Sequence, residues 1–401
     1  MHLDRLLLFG LTLTLADSVP AHAVFDAPRQ FQRSGAGPGL DLRPQAEGFV
    51  RYAHYAVEQS AQAVTRLQKA INKFLAEPNA QSLDQVRQAW RDARPYYQRT
   101  EMLRFFNGPI DHPAGPGIDA GPEPRINAWP LNEAAIDAVR GAPRSGLVYT
   151  SQGVLTEDDI LRADQTSDEA DVTTGWHAIE FLLWGQDFNA TGPGQRPYTD
   201  FLPGDPYRER RRRYLQLLVE RLNADLAQQE QAWDAEHADS YAHWLLQQPA
   251  GEILGRGIHG AASLAAIEIY GQRLTAPLDS GSQEDEHSCF SDHTLADLRA
   301  NLQGIDGFVR ARYGDTELGA SLIDLLRWKD PRLADRLDQA LKQAMASLAA
   351  VPEPFDQILL SPGDAPARTL AEAAAEDVRL VAVALKAAAE ALSLEIVVPG
   401  V

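Results

Sequence analysis

The chain of 401 residues has a single cysteine, Cys289, so no internal disulfide can staple it and stability must come from packing. The same shortage leaves no cysteine near the start to carry a lipid, and no C-x-x-C-H for covalent haem. Long apolar runs are scarce too. The longest, Leu6 to Leu15, is far short of the roughly 20 residues that span a bilayer. No phosphate-binding P-loop or dinucleotide glycine fingerprint is present. Positive charge is in deficit: 37 Lys and Arg stand against 56 Asp and Glu, a formal charge of −19, which disfavours nucleic acid and anionic lipid and favours cations. The basic run Arg208–Arg213 opens an amphipathic helix and reads as a solvated face, so nucleic acid is not expected as a partner.

What is present begins with MHLDRLLLFGLTLTLADSVPAHA. Arg5, a short apolar stretch and Ala21-His22-Ala23 make a secretory signal peptide over residues 1–23, and with no lipid-bearing cysteine the mature protein is expected free in the periplasm. Residues 24–48, rich in Gly and Pro toward their centre, read as a flexible leader. Apolar residues then recur at threes and fours from Phe49 to Phe74, and again as Leu83, Val86 and Trp90 behind a cap at Ser82. Further helical patterns are expected near 156, at 173–187, from 207, and at about 257–274, 292–312, 316–328, 332–350 and 367–394. No alternating strand pattern appears. The expectation is an all-α fold of two helical bundles, at 49–191 and 207–396, divided by the Gly/Pro-rich stretch 192–206.

One segment conflicts with its surroundings. GWHAIEFLLWGQD, residues 175–187, is apolar on nearly every side yet carries His177 and Glu180 three apart, so both project from one helix face and can share a metal ion or a proton. A carboxylate in such a place is costly unless paired or metal-bound, so partners must come from elsewhere. Glu101 is the first candidate, because the stripe Leu83, Val86, Trp90, Ala93, Tyr97 reaches it at helical spacing, with Pro95 bending the helix and Arg94 and Arg104 as possible ion partners. The second is Glu284, Asp285, Glu286 and His287, a dense donor set between two helices, of the oxygen-rich kind that hard cations prefer. Metal ligation by His177, Glu180 and Glu101, with Arg94 and 284–287 lining the cleft, is therefore expected. The alternative is a hydrogen-bonded pair within a core.

These residues, with the blocks at 89–111, 185–201 and 280–292, resemble the imelysin family in its iron-regulated exported branch; the carrying motif is G-x-H-x-x-E, here Gly175, His177 and Glu180. The resemblance implies a two-domain helical fold with the motif facing an interdomain cleft. It also implies a part in iron or other metal acquisition, with a metal ion or metal chelate as ligand and membrane-bound iron-uptake components as partners. His with carboxylates would accept zinc, iron or manganese. The family is also classed with metallopeptidases, which makes metal-dependent peptide hydrolysis the alternative. Inverted-type zinc peptidases use H-x-x-E-H, and here Phe181 stands in place of the second histidine.

Overall fold

The computed structural model describes residues 40–111, 121–189 and 191–401; the signal-peptide segment and residues 24–39 lie outside them. The first helix, α1 (Arg43–Ala76), begins inside the expected leader: Pro44 sits at its first turn, and Leu42 and Ala46 are buried. At about 1.5 Å per residue it runs about 50 Å, long enough to serve two cores. Phe49, Tyr52, Ala53 and Ala56 join one hydrophobic cluster, and Val64, Leu67, Ile71 and Phe74 join the other. Next comes α2 (Ala80–Gln98). Its cap is Asn79 rather than Ser82: Asn79 Oδ1 accepts from Ser82 N at 2.9 Å, and Ser82 Oγ accepts from Asn79 N at 3.0 Å.

Short turns lead to α3 (Gly175–Trp184), in which all ten residues are buried, and then to α4 (Pro206–Trp233), capped by Asp205. The helix α5 (Ala250–Ser263) runs directly into a π-helix, Leu264–Thr275. The longer helices that follow are α6 (Thr294–Arg310), α7 (Leu322–Lys329), α8 (Pro331–Ala350) and α9 (Pro366–Ala391), with a short helix Phe355–Leu359 between the last two. The fold is all-α, with one exception among the described residues to the expected absence of strands. Where a helix was expected from 316, Arg312–Tyr313 pairs with Thr316–Glu317 around Gly314 at φ +59°, and helix resumes only behind the Ser321 cap.

The two cores interleave along the chain instead of parting at 192–206. The second half of α1 packs with α2, α3 and most of α4, while the first half joins α5, the π-helix, α6, α8 and α9. The seam between them is crossed by α1 and faced by α2, α3, α6 and the π-helix. The residues singled out in the sequence meet there.

Candidate functional site

Gly175 explains how α3 reaches the seam. Its φ is +79°, and a Cβ there would lie 2.3 Å from the Ile126 carbonyl oxygen, so a glycine lets the helix start press against the strand of chain that carries Asn127. Two and five residues on, His177 and Glu180 are both buried, with Nδ1 2.9 Å from Glu180 Oε2. The other imidazole nitrogen, Nε2, is 3.1 Å from an Arg94 Nη2. Arginine only donates, so Nε2 accepts, the ring proton sits on Nδ1, and Nδ1 donates to Glu180. Burial, with the charge of Arg94 second, holds His177 well below the usual histidine range, which keeps the ring neutral.

Glu180 Oε1 accepts from the backbone N of Ser291 at 3.0 Å and from its hydroxyl at 2.7 Å. Burial pushes this carboxyl up to about 8, against the Ser291 bonds. The contacts favour the ionised form: the Ser291 backbone N–H and the His177 Nδ1 proton can only donate to it, and the Ser291 hydroxyl alone could also accept.

Arg94, wholly buried on α2, is the hub. It donates to His177, to Asp297 Oδ2 on α6 at 3.2 Å and to Asn127 Oδ1 at 2.5 Å. Asn127 passes the chain on, donating to Glu101 Oε1 at 2.7 Å. Glu101 stands in a 3-10 turn just beyond α2, still buried as its stripe implied. Arg273 from the π-helix grips it at 2.5 and 3.1 Å, and Asn301 donates to Oε2 at 2.9 Å. Burial alone would raise this carboxyl; the charge and hydrogen bonds of Arg273 outweigh it and hold it at about 2. Arg104 lies between Glu101, Glu123 and Glu268 at 3.4 to 3.6 Å.

The 284–287 segment divides. Glu284 is exposed and Asp285 half-buried, whereas Glu286 and His287 are buried. The His287 ring packs edge-on against His177 with centroids 4.9 Å apart, and its Nδ1 lies 3.2 Å from Asp297 Oδ2, outside hydrogen-bond geometry. Burial, then the charges of Arg273 and Arg94, also keep His287 well below the usual histidine range. Glu101, Arg94, His177, Glu180 and His287 thus belong to one connected buried cluster.

As ligands to one ion, however, His177, Glu180 and Glu101 do not fit. Their donor atoms are turned to one another and to guanidinium groups. An ion bound at His177 Nε2 would meet Arg94, and Glu101 is already held by Arg273 and two asparagines. Phe181, where a second zinc histidine would stand, packs on Phe290 at 5.2 Å and under Arg196. Arg273, Asp297, Asn127 and Asn301 were not singled out in the sequence. Asp297 and Asn301 carried a signal: they interrupt the apolar stripe Leu298, Leu302, Ile305 of α6, as Glu101 interrupts that of α2.

Residues 51–385 match the family model described as Imelysin (Peptidase_M75). The chain belongs to the imelysin family. This imelysin is 28% identical over 338 residues to "Iron-regulated protein A" of Synechococcus elongatus, covering 83% of this chain and 82% of that one. Its fold resembles a crystal structure named for an iron-regulated protein A precursor from Parabacteroides distasonis, with a TM-score of 0.69 at 18% identity over 88% of this chain and 97% of that one. It also resembles an imelysin-like protein from Psychrobacter arcticum, with a TM-score of 0.59 at 16% identity over 86% and 94% of the two chains. The resemblance read from the HxxE segment and its companion blocks is borne out.

Proposed function

We propose that this imelysin is an exported, periplasmic protein that binds a metal ion or metal chelate at the seam between its two cores, as part of iron or other metal acquisition. The observation that supports this reading is the buried cluster itself. Glu180, His177, Arg94, Asp297, Glu101 and Arg273 are each no more than 2% exposed. Apolar residues would fill such a volume at equal or lower free energy, since desolvation offsets most of what buried ion pairs gain. A polar cluster of this extent is therefore better explained by function than by stability.

The family and the iron-regulated relative add the direction toward iron. The signal-like N-terminus and the −19 charge suit a cation handler outside the cytoplasm. Membrane-bound iron-uptake components are the partners this reading names. Elemental analysis of protein isolated from the periplasm, without chelators or a metal-binding tag, is the test. About one equivalent of a transition metal per chain is expected. Metal-free protein that stays metal-free after incubation with iron, manganese or zinc salts would reject the reading.

A further inference from the structure

We propose that the cation seat of this protein is an all-oxygen site made by Asp187, Asp292, Asp356 and Glu286, one hydrogen-bonded step beyond Glu180. This rests on the metal-binding reading above and names its ligands. The HxxE residues are placed outside the coordination sphere.

The first three residues each bring a carboxylate oxygen to within 4.8 Å of the others. Oxygens bound to one ion at about 2.3–2.6 Å can be at most about 5 Å apart, so the spacing suits a shared cation. They come from three parts of the chain: Asp187 just after α3, Asp292 beside Ser291, and Asp356 in the short helix Phe355–Leu359. Asp292 is held at φ +55°, a left-handed conformation uncommon outside glycine, next to the residue that binds Glu180 through both backbone and side chain.

A second observation is Glu286. It is 0% exposed, and neither carboxylate oxygen has a hydrogen-bond partner in good geometry, although the Thr294 hydroxyl and the Asp356 carboxyl lie close enough to interact with it. Its carboxylate faces Asp356, with Asp292 also near enough to repel it. Asp187 Oδ2, Asp292 Oδ1 and Asp356 Oδ1 are likewise buried without a partner in good geometry, and the Asp187 and Asp292 carboxyls lie close enough to interact with each other. The remaining oxygens are oriented by donors: Asn189 N reaches Asp187 Oδ1 at 2.8 Å, and Gln283 Nε2 reaches Asp356 Oδ2 at 2.8 Å while also holding the Asn189 carbonyl. These donors hold one oxygen each of Asp187 and Asp356.

The electrostatics agree. The carboxylates of Asp356 and Asp187 lie near enough to that of Asp292 to repel it. Arg91, whose Nη2 donates to the Ser291 carbonyl at 2.9 Å, offsets only part of this repulsion. A bound cation supplies the missing counter-charge. Carboxylates with no nitrogen or sulfur favour hard ions such as Ca²⁺, Mn²⁺ or Fe³⁺ over soft ones.

Mn²⁺ added to the chelator-stripped protein, followed by continuous-wave and pulsed EPR, tests the assignment. One site with no ¹⁴N coupling is expected. Asp292→Asn, Asp356→Asn and Glu286→Gln should each weaken binding at least tenfold, while His177→Ala weakens it less than threefold. Metal-free amide variants should melt no lower than metal-free wild type, because each removes a crowded charge. Nitrogen coupling, or a site lost in His177→Ala and kept in Asp356→Asn, would overturn the carboxylate assignment and leave the metal-binding reading standing. Failure of wild type to bind Mn²⁺, Ca²⁺ or Fe³⁺ would overturn both.

Discussion

Arg94 decides what His177 can be. Because a guanidinium donates to Nε2, the ring must be neutral with its proton on Nδ1, and burial resists a second proton. ¹⁵N NMR of the histidine should show that tautomer at neutral pH, with His177 titrating only below the usual histidine range; an imidazolium that forms within that range would contradict it. Glu101 offers a complementary prediction. Its folded pKa, about 2, lies below the ordinary 4.5, so the stability it contributes is present above about pH 4.5 and is lost as pH falls through about 2. Urea unfolding should give a gap between wild type and Glu101→Gln of on the order of 3 kcal/mol at neutral pH. The gap should close between about pH 4.5 and 2, and a pH-independent gap would show that the carboxylate's charge is not what Arg273 stabilises. Both residues were legible in the sequence, His177 as a polar group in an apolar segment and Glu101 as the end of an apolar stripe. Asp187, Asp292 and Asp356 were not: each follows a helix end or loop with ordinary polar neighbours, and only tertiary packing brings them together.

Helix α3 is positioned by both of its ends. Gly175 admits the Ile126 carbonyl, and Glu180 fastens the far face to Ser291. Gly175→Ala adds a Cβ that meets backbone at 2.3 Å and a φ of +79° that side chains resist, so a loss of at least about 2 kcal/mol is expected in chemical denaturation. A change below about 0.5 kcal/mol would mean that the Ile126–Asn127 backbone moves freely aside. Glu180→Gln and Ser291→Ala remove the two sides of one contact, so their effects on metal affinity should be non-additive in a double-mutant cycle; strict additivity would separate Glu180 from the 291–292 segment. The helices themselves were readable from their periodicity. The hairpin at 312–317 was not, because two-residue strands are too short to alternate. The helical start at Arg43 was hidden behind the Gly/Pro-rich residues that precede it.

On the scale of the whole molecule, the apolar periodicity foretold an all-α protein, while the expected domain division was placed in a loop. The division instead crosses long helices, because α1 at 34 residues and α4 at 28 outreach a single core and serve both. The proposed cation seat draws its carboxylates from the turns after α3 and before α6 and from the short helix Phe355–Leu359. Among the described residues no helix is long and apolar enough to cross a membrane. N-terminal sequencing of the periplasmic protein should begin near Val24, and recovery of Met1 from the cytoplasm would remove the exported reading.

The central claim, a metal ion at the seam, is tested most directly by anomalous diffraction at the manganese edge from crystals grown with Mn²⁺. The account predicts one strong anomalous peak within bonding distance of Asp187, Asp292 and Asp356, with His177 still donating to Glu180 and accepting from Arg94. A map with no peak at the seam, from protein shown to be saturated in the same solution, would contradict it.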